Sequence, residues 1–284
     1  MKYKIGILLD SLRMPFPEAL NAAAEMSVDS IQIYASSHEM SSIRPDLSSA
    51  DEIRKQIESR NLKLSALVGD PGGHGFERED ENRVKIPGMK KIIDFAAALG
   101  TDIITSHIGV IPDKGSHGYS VLQKGISEIC TYAAKNNVFL AVETGPEKSA
   151  VLKEFIEDTG ESQLKVNFDP ANLAMVQGED AVQAVGNLKD YIVHTHAKDG
   201  RRIKPCNPRE IYDSFAEGNP ENLNYDEFFI ETALGTGDVD FPAYLKALAE
   251  TGYSGNLTIE REAGNSRLED VRKGVAFLES IIRE

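Results

Sequence analysis

Eight short apolar runs, separated by longer amphipathic stretches, are the feature that most limits how this chain can fold. Each run has four to six residues and is rich in Ile, Leu and Val. Such runs are typical of strands that are buried on both faces of a parallel sheet. We predict strands at residues 4–9, 30–34, 63–68, 102–106, 138–142, 164–168, 191–194 and 256–259.

The stretches between these runs have the end signals of helices. Pro17 stands near the start of the first stretch, where its missing N–H costs nothing, and Gly100 follows another as a C-terminal cap. We predict helices at residues 16–26, 49–60, 84–99, 121–135, 149–158, 179–188, 241–250 and 268–282. Eight strand–helix units in 284 residues average about 35 residues each, which predicts one closed (β/α)8 TIM barrel over residues 1–284.

Composition narrows the range of functions. Lys and Arg number 31 and Asp and Glu number 45, so the formal net charge is −14. A chain with this charge is a poor partner for nucleic acid or for an anionic membrane, and no apolar run approaches a membrane span. The N-terminus lacks the pattern of a signal peptide, and the two Cys lack metal-type spacing, so we expect a cytoplasmic protein. The first strand is also not followed by a GxGxxG motif, which disfavours a nucleotide-binding fold.

One connection is unusually long. More than forty residues separate His196 from Phe241, with only weak helical signals at 209–215 and 225–232. A connection of this length in a compact domain is usually functional or disordered. It follows the seventh predicted strand, so we expect a long loop at the C-terminal face of the barrel, where barrel enzymes have their active sites.

Four consecutive predicted strands end in ionisable side chains. Glu143, Asp169 and His196 follow one another at intervals of 26 and 27 residues, about one strand–helix unit, and Glu260 follows 64 residues later, beyond the long connection. Carboxylates at the ends of apolar strands are costly unless they face water or a cation. Two Glu, one Asp and one His therefore predict a divalent metal site, with oxygen ligands that suit Mn²⁺ or Mg²⁺ and an imidazole that also admits Co²⁺, Zn²⁺ or Fe²⁺.

A family resemblance rests on five segments that contain or neighbour these residues: AVETGP, NFDPANL, HTHAKDG, LGTGDVDFP and GYSGNLTIERE. Over nearly its whole length the chain resembles the xylose-isomerase-like TIM-barrel superfamily of sugar and sugar-phosphate isomerases and epimerases. The resemblance implies that Glu143, Asp169, His196 and Glu260 bind the metal ion, with Mn²⁺ foremost. It also implies that Glu143 and Glu260 form an acid–base pair, which moves the proton alpha to a carbonyl through an enediolate.

The match to ketose 3-epimerases is incomplete around the metal site. These enzymes carry a substrate-binding His three residues after the ligand Asp, where this chain has Asn172, and a second Glu where it has Ser149. Their Arg six residues after the ligand His is matched by Arg202. His194 lies two residues before His196 on the same strand face, so we expect it one layer deeper. We assign to substrate binding His107, Asn172, Arg202, His74 and His194.

Several alternatives remain open at this stage. His107 is either a substrate contact or a structural histidine, and the Gly-rich segment 69–75 around His74 is either a substrate-facing loop or a flexible turn. The basic residues Arg201, Arg202 and Lys204 could hold a phosphate or carboxylate, form a salt bridge, or be solvated. The ligand is expected to be a small keto-sugar or sugar phosphate, and the family resemblance implies a homodimer or homotetramer.

The same residues leave more than one function open. A dehydratase of a cyclic keto-acid or an inosose uses the same metal and the same alpha-proton chemistry. A metal-containing sugar-binding module without turnover is a second alternative. An endonuclease-IV-type phosphodiesterase is disfavoured, because six His residues and a net charge of −14 do not suit three metals and a DNA surface.

Overall fold

Eight parallel strands close into a barrel in a computed structural model that describes residues 3–35, 45–218 and 223–283. Around the barrel the order is β1, β10, β7, β6, β5, β4, β3, β2, so the predicted TIM-barrel fold is confirmed. The strands are β1 (Lys4–Leu8), β2 (Ser30–Tyr34), β3 (Lys63–Val68), β4 (Ile103–Ser106), β5 (Phe139–Glu143), β6 (Leu164–Phe168), β7 (Ile192–Ala197) and β10 (Asn256–Ile259).

Helices surround the barrel and bury their apolar faces against it. The Ser116 side chain accepts a hydrogen bond from the Tyr119 N–H at the start of α4, and Gly100 ends α3 with a left-handed φ of 83°. The helices are α1 (Phe16–Glu25), α2 (Ala50–Glu58), α3 (Glu79–Leu99), α4 (His117–Lys135), α5 (Ser149–Thr159), α6 (Pro170–Asn172), α7 (Ala181–Leu188), α8 (Pro208–Ala216), α9 (Phe241–Glu250) and α10 (Arg267–Arg283). No helix in these described ranges is both long enough and apolar enough to cross a membrane.

The connection between β7 and α9, residues 198–240, is called the insertion below, and its described residues contain more regular structure than predicted. It contains β8 (Asp199–Arg202) and β9 (Phe229–Thr232), which pair antiparallel as a two-stranded ribbon separate from the barrel. The weak helical signal at 209–215 corresponds to α8. At 225–232 the weak helical signal is realised only as a 3-10 turn over Tyr225–Glu227, because residues 229–232 pair with β8.

The barrel interior is polar at the level of the predicted site. Gln32, Thr105, Asn167, His194 and Thr258 are all fully buried. The register between strands shifts at Ile31/Gln32, where β2 pairs with β3, and at Val166/Asn167, where β6 pairs with β7. Irregular pairing of this kind often re-aims side chains next to functional sites.

Candidate metal centre

Four predicted ligands come together at the C-terminal end of the barrel. Glu143 ends β5, Asp169 follows β6, His196 lies in β7 and Glu260 follows β10. One ligand atom from each of them lies within 4.8 Å of the others, and all four side chains are buried. Parallel strands bring their carboxyl ends to one face of a barrel, which explains how residues more than a hundred positions apart meet.

His196 lies at the centre of this cluster. Its Nδ1 atom is 3.2 Å from the Oε2 atom of Glu260, and 3.6 Å from both the Oε1 atom of Glu143 and the Oδ2 atom of Asp169. Its Nε2–H donates to the Oε1 atom of Gln32 at 2.9 Å. With Nε2 engaged in this way, Nδ1 is the nitrogen that faces the three carboxylates.

The two carboxylate oxygens of Asp169 have different roles, one in capping a helix and one in the cluster. Oδ1 accepts hydrogen bonds from the N–H groups of Ala171 and Asn172, at 2.8 and 2.9 Å, and so caps the short helix α6. Oδ2 is buried, has no hydrogen-bond partner in the described part of the chain, and points to the cluster. A buried carboxylate oxygen without a donor is unfavourable unless a cation binds it, so the residues present fit a divalent metal.

The electrostatics of the cluster agree with a cation site. Burial raises the pKa of the Asp169 carboxyl. Burial also opposes ionisation of Glu260, yet the positive charges of Lys198 and His196 lower its pKa below the usual range. Three carboxylates packed this closely repel one another, and a bound divalent ion would remove that repulsion.

Two buried amides support the cluster from below. Gln32 contacts His196 and donates through Nε2 to the Oγ1 atom of Thr105 at 2.7 Å. Asn167 accepts a hydrogen bond from the Nδ1–H of His194 at 2.8 Å and donates to the Oε2 atom of Glu143 at 3.4 Å. Our sequence analysis missed both amides, although a polar residue inside an otherwise apolar strand is the signal that marks them.

Lys198 and Asp199 organise the loops around the cluster. Lys198 is buried, and its Nζ donates to the Oε2 atom of Glu260 at 3.0 Å and to Glu262. Asp199 accepts hydrogen bonds from the N–H groups of four residues, at 2.8–3.2 Å: Gly200, Gly235, Gly237 and Val239. The HAKD and LGTGD segments that carry the resemblance are therefore in direct contact.

A cavity of about 570 Å³ opens above the cluster. Three of the predicted substrate-binding residues line it, namely His74, His107 and Asn172. The Oε1 atom of Glu143 lies 3.7 Å from the Nε2 atom of His107 and accepts a hydrogen bond from the Nδ2 atom of Asn172 at 3.0 Å. The Nδ1–H of His74 donates to the Oδ1 atom of Asp213 at 3.1 Å. Tyr212 of α8 also lines the cavity, and our sequence analysis did not select it.

The other two predicted substrate-binding residues lie elsewhere. His194 is fully buried below the cluster, where its Nε2 accepts from the Thr258 hydroxyl at 3.1 Å, one layer deeper as expected. Arg202 packs against Gly178, outside the residues that line the cavity. The neighbouring basic residues also face away: Arg201 donates to the Thr236 carbonyl, and Lys204 pairs with Glu227 at 2.8 Å.

The sequence is similar to those of known proteins over part of its length. The chain is 24% identical over 217 residues to an uncharacterised protein of Methanocaldococcus jannaschii, covering 72% of this chain and 64% of that protein. It is 27% identical over 119 residues to the inosose dehydratase of Lacticaseibacillus casei, covering 42% of this chain and 37% of that enzyme. The chain thus spans less than two thirds of the length of these relatives.

Solved structures match over the whole barrel. A xylose isomerase domain protein from Planctomyces limnophilus superposes with a TM-score of 0.78 at 26% identity, covering 99% of this chain and 96% of that one. D-psicose 3-epimerase and the probable 3-DHS dehydratase AsbF of Bacillus anthracis share the fold, each at 16% identity, with TM-scores of 0.70 and 0.72. Each match covers 98% of this chain and 99% of the other chain. The family model described as xylose isomerase-like TIM barrel matches residues 20–281, so this chain belongs to that family.

Proposed function

We propose that this protein is a divalent-metal-dependent isomerase or epimerase of a keto-sugar or sugar phosphate, similar in reaction to ketose 3-epimerases. The observation that carries the proposal is the buried cluster of Glu143, Asp169, His196 and Glu260 at the base of the cavity. A divalent ion held there, foremost Mn²⁺ and otherwise Mg²⁺, Co²⁺, Zn²⁺ or Fe²⁺, would act as a Lewis acid on the substrate carbonyl and the adjacent hydroxyl.

In this proposal Glu143 and Glu260 are the acid–base pair. Glu143 ends β5 and Glu260 follows β10, with β6 and β7 between them around the barrel, so the two carboxylates approach a ligand from different sides. One carboxylate removes the proton alpha to the carbonyl, and the other returns a proton. Return to the opposite face of the same carbon gives an epimer, whereas return to the neighbouring carbon gives an aldose–ketose shift.

The surrounding side chains support the pair in distinct ways. Asn172 orients Glu143 by its 3.0 Å hydrogen bond, and His107 and His74 offer ring nitrogens to substrate hydroxyls. His194 acts indirectly, because it holds the Asn167 amide that donates to Glu143. Arg202 packs against Gly178, away from the residues that line the cavity, so it has no contact with the substrate in this proposal.

A metal-dependent dehydratase of a keto-acid or inosose is the second candidate. The similarity to an inosose dehydratase favours it. Its first step is the same proton abstraction alpha to a carbonyl, and it differs only in that the adjacent hydroxyl then leaves as water.

The test combines metal analysis with hydrogen exchange. Mn²⁺-loaded protein is incubated in D₂O with ketoses, their phosphates and inososes, and we expect deuterium alpha to the carbonyl of at least one. Glu143→Gln and Glu260→Gln should each lower the exchange rate by about 10²–10⁴-fold while the ligand still binds. A product lighter than the substrate by one water would establish the dehydratase instead. Binding without any exchange would leave only a non-catalytic module.

The remaining expectations belong to the same proposal. We propose that residues 1–284 form one domain that works in the cytoplasm as a homodimer or homotetramer. Both cysteines are free thiols in the structure, in keeping with a reducing compartment. Light scattering on the purified protein measures the oligomeric state directly.

A further inference from the structure

Three aromatic side chains of the insertion line the outer part of the cavity. Phe215 of α8 and Tyr225 stack face to face, with ring centroids 4.4 Å apart and planes 2° apart, and Phe229 of β9 lies 6.4 Å from Tyr225. Phe215 keeps 54% of its surface exposed. We call these three residues the aromatic ledge. Exposed aromatic surface next to a cavity commonly marks a binding site.

The ledge is held in place by hydrogen bonds. The Tyr225 hydroxyl donates to the Oγ atom of Ser214 at 2.9 Å, which ties the 3-10 turn to α8. Helix α8 is in turn fixed to the opposite side of the cavity, because Arg209 donates to Glu77 Oε2 at 2.7 Å and to the Val110 carbonyl at 2.9 Å. The rings are therefore positioned before any ligand arrives.

The residues that line the cavity are of two chemical kinds. Charged and polar groups at and around the metal cluster include Glu143, Glu260, Lys198 and His107. The aromatic ledge adds an aromatic surface to the same cavity. The whole cavity, about 570 Å³, lies in the ~300–1,000 Å³ range of pockets for drug-sized ligands, so it has room for a ligand larger than one hexose.

The side chains at and near the aromatic ledge indicate which kind of ligand would bind there. The C–H groups on a face of a pyranose ring carry partial positive charge and pack on the negative face of an aromatic ring. Asp213 and Asp226, which are close to Phe215 and Tyr225 in the sequence, line the same cavity and can accept hydrogen bonds from ring hydroxyls. The same carboxylates would repel a phosphate or carboxylate group.

We propose that the aromatic ledge binds a second, uncharged pyranose ring, so that the substrate is a keto-sugar glycoside of disaccharide size. This inference rests on the proposed function for the placement of the keto-sugar at the metal cluster. The ledge then acts as a specificity-determining site, because it contacts only the part of the ligand that a free ketose lacks.

Calorimetry with Mn²⁺-loaded full-length protein tests the proposal. The probes are D-fructose and isomaltulose, which joins a glucose ring to O6 of fructose and leaves the carbonyl and its neighbouring hydroxyl free. We expect isomaltulose to bind at least about tenfold more tightly than fructose. Phe215→Ala and Tyr225→Ala should each remove most of this preference and leave fructose binding unchanged.

Phe228→Ala is the matched control, because this residue neighbours the ledge but does not line the cavity. Thermal unfolding verifies that each variant is folded. Equal affinities for the two sugars, equal losses for both in Phe215→Ala, or binding of neither sugar would overturn the proposal. A change from dimer to monomer in Phe215→Ala with the sugar preference intact would also overturn the proposal. In that case a second copy of the chain, and not a sugar ring, covers the ledge in the unmodified protein.

Deuterium exchange separates this inference from the proposed function. Preferential binding of isomaltulose that is lost in Phe215→Ala, but without exchange alpha to the carbonyl of isomaltulose or of any ketose, ketose phosphate or inosose, would retain the ledge and overturn the isomerase proposal. Exchange with fructose and no preference for isomaltulose would retain the isomerase proposal and overturn the ledge.

Discussion

The Nε2 atom of His196 lies 2.9 Å from the Oε1 atom of Gln32, and this hydrogen bond crosses the inside of the barrel from β7 to β2. It directs the Nδ1 atom of His196 towards the carboxylates of the cluster. A hydrogen bond to the second nitrogen of a ligand histidine fixes both the orientation of the ring and the position of its proton. Gln32 is therefore part of the proposed metal site although it does not contact the metal position.

We expect Gln32→Leu to lower Mn²⁺ affinity by about 10–100-fold, because the imidazole loses the acceptor that orients it. Competition with a fluorescent chelator measures the affinity. Gln183→Leu, at an exposed position of α7, is the matched control and should bind Mn²⁺ as the unmodified protein does. Unchanged affinity in Gln32→Leu would show that His196 is positioned by other contacts.

The difference between Gln32 and the four cluster residues shows how far the sequence alone could lead. Glu143 and Glu260 stand at the ends of strands, and the ends follow from the hydrophobic pattern, so their convergence was predictable. Gln32 and Asn167 lie inside strands, next to shifts in register that involve pairing with a neighbouring strand. Which way such residues point depends on contacts between distant segments, and a local pattern does not contain that information.

The insertion was the hardest part to predict for a related reason. Residues 229–232 form a strand only because they pair with residues 199–202, which precede them by about thirty positions. The local sequence there favours a helix as much as a strand, and tertiary pairing decides between them. The contact of Asp199 with the glycine segment at 235–239 is equally non-local.

We expect Asp199→Asn to destabilise the protein by about 2–4 kcal/mol. Oδ1 accepts from Gly200 and Val239, and Oδ2 accepts from Gly235 and Gly237, so an amide nitrogen on either side would face two N–H donors. Urea denaturation measures the loss. Asp190→Asn, at an exposed position, serves as the control and should leave the free energy of unfolding within about 0.5 kcal/mol.

We expect Arg209→Ala to speed hydrogen exchange at the backbone amides of α8 by at least about tenfold, since this helix loses two of its hydrogen bonds across the cavity and keeps only that of Asp213 with His74 among the described residues. Arg209→Lys should restore only part of the protection, because an ammonium group lacks the fork that reaches Glu77 and Val110 together. Arg272→Ala removes an exposed ion pair on α10 and should leave α8 protected. Equal protection in all three variants would refute the role of Arg209.

Glu147 gives the stability of the protein a specific dependence on pH. Burial raises the pKa of its carboxyl to about 8, so the folded state holds a proton that the unfolded state releases near pH 4.5. The stability from this group is complete below about pH 4.5 and is lost as the pH rises through 8. Glu147→Gln keeps a neutral side chain, so its stability relative to the unmodified protein should increase by a few kcal/mol between pH 5 and pH 8.5.

Urea denaturation at the two pH values measures this difference. Glu154→Gln, at an exposed position of α5, is the control and should show the same pH dependence as the unmodified protein. A pH-independent difference between Glu147→Gln and the unmodified protein would mean that Glu147 is ionised in the folded state.

The ribbon of β8 and β9 has a consequence for how this barrel could change over time. Arg202 pairs with Phe229, so the two ends of the intervening segment 203–228 lie side by side on a short base that follows His196 directly. That segment could be lengthened, shortened or exchanged without moving the strand that carries His196. Replacement of the segment between β8 and β9 could therefore change the substrate preference while the metal centre stays unaltered.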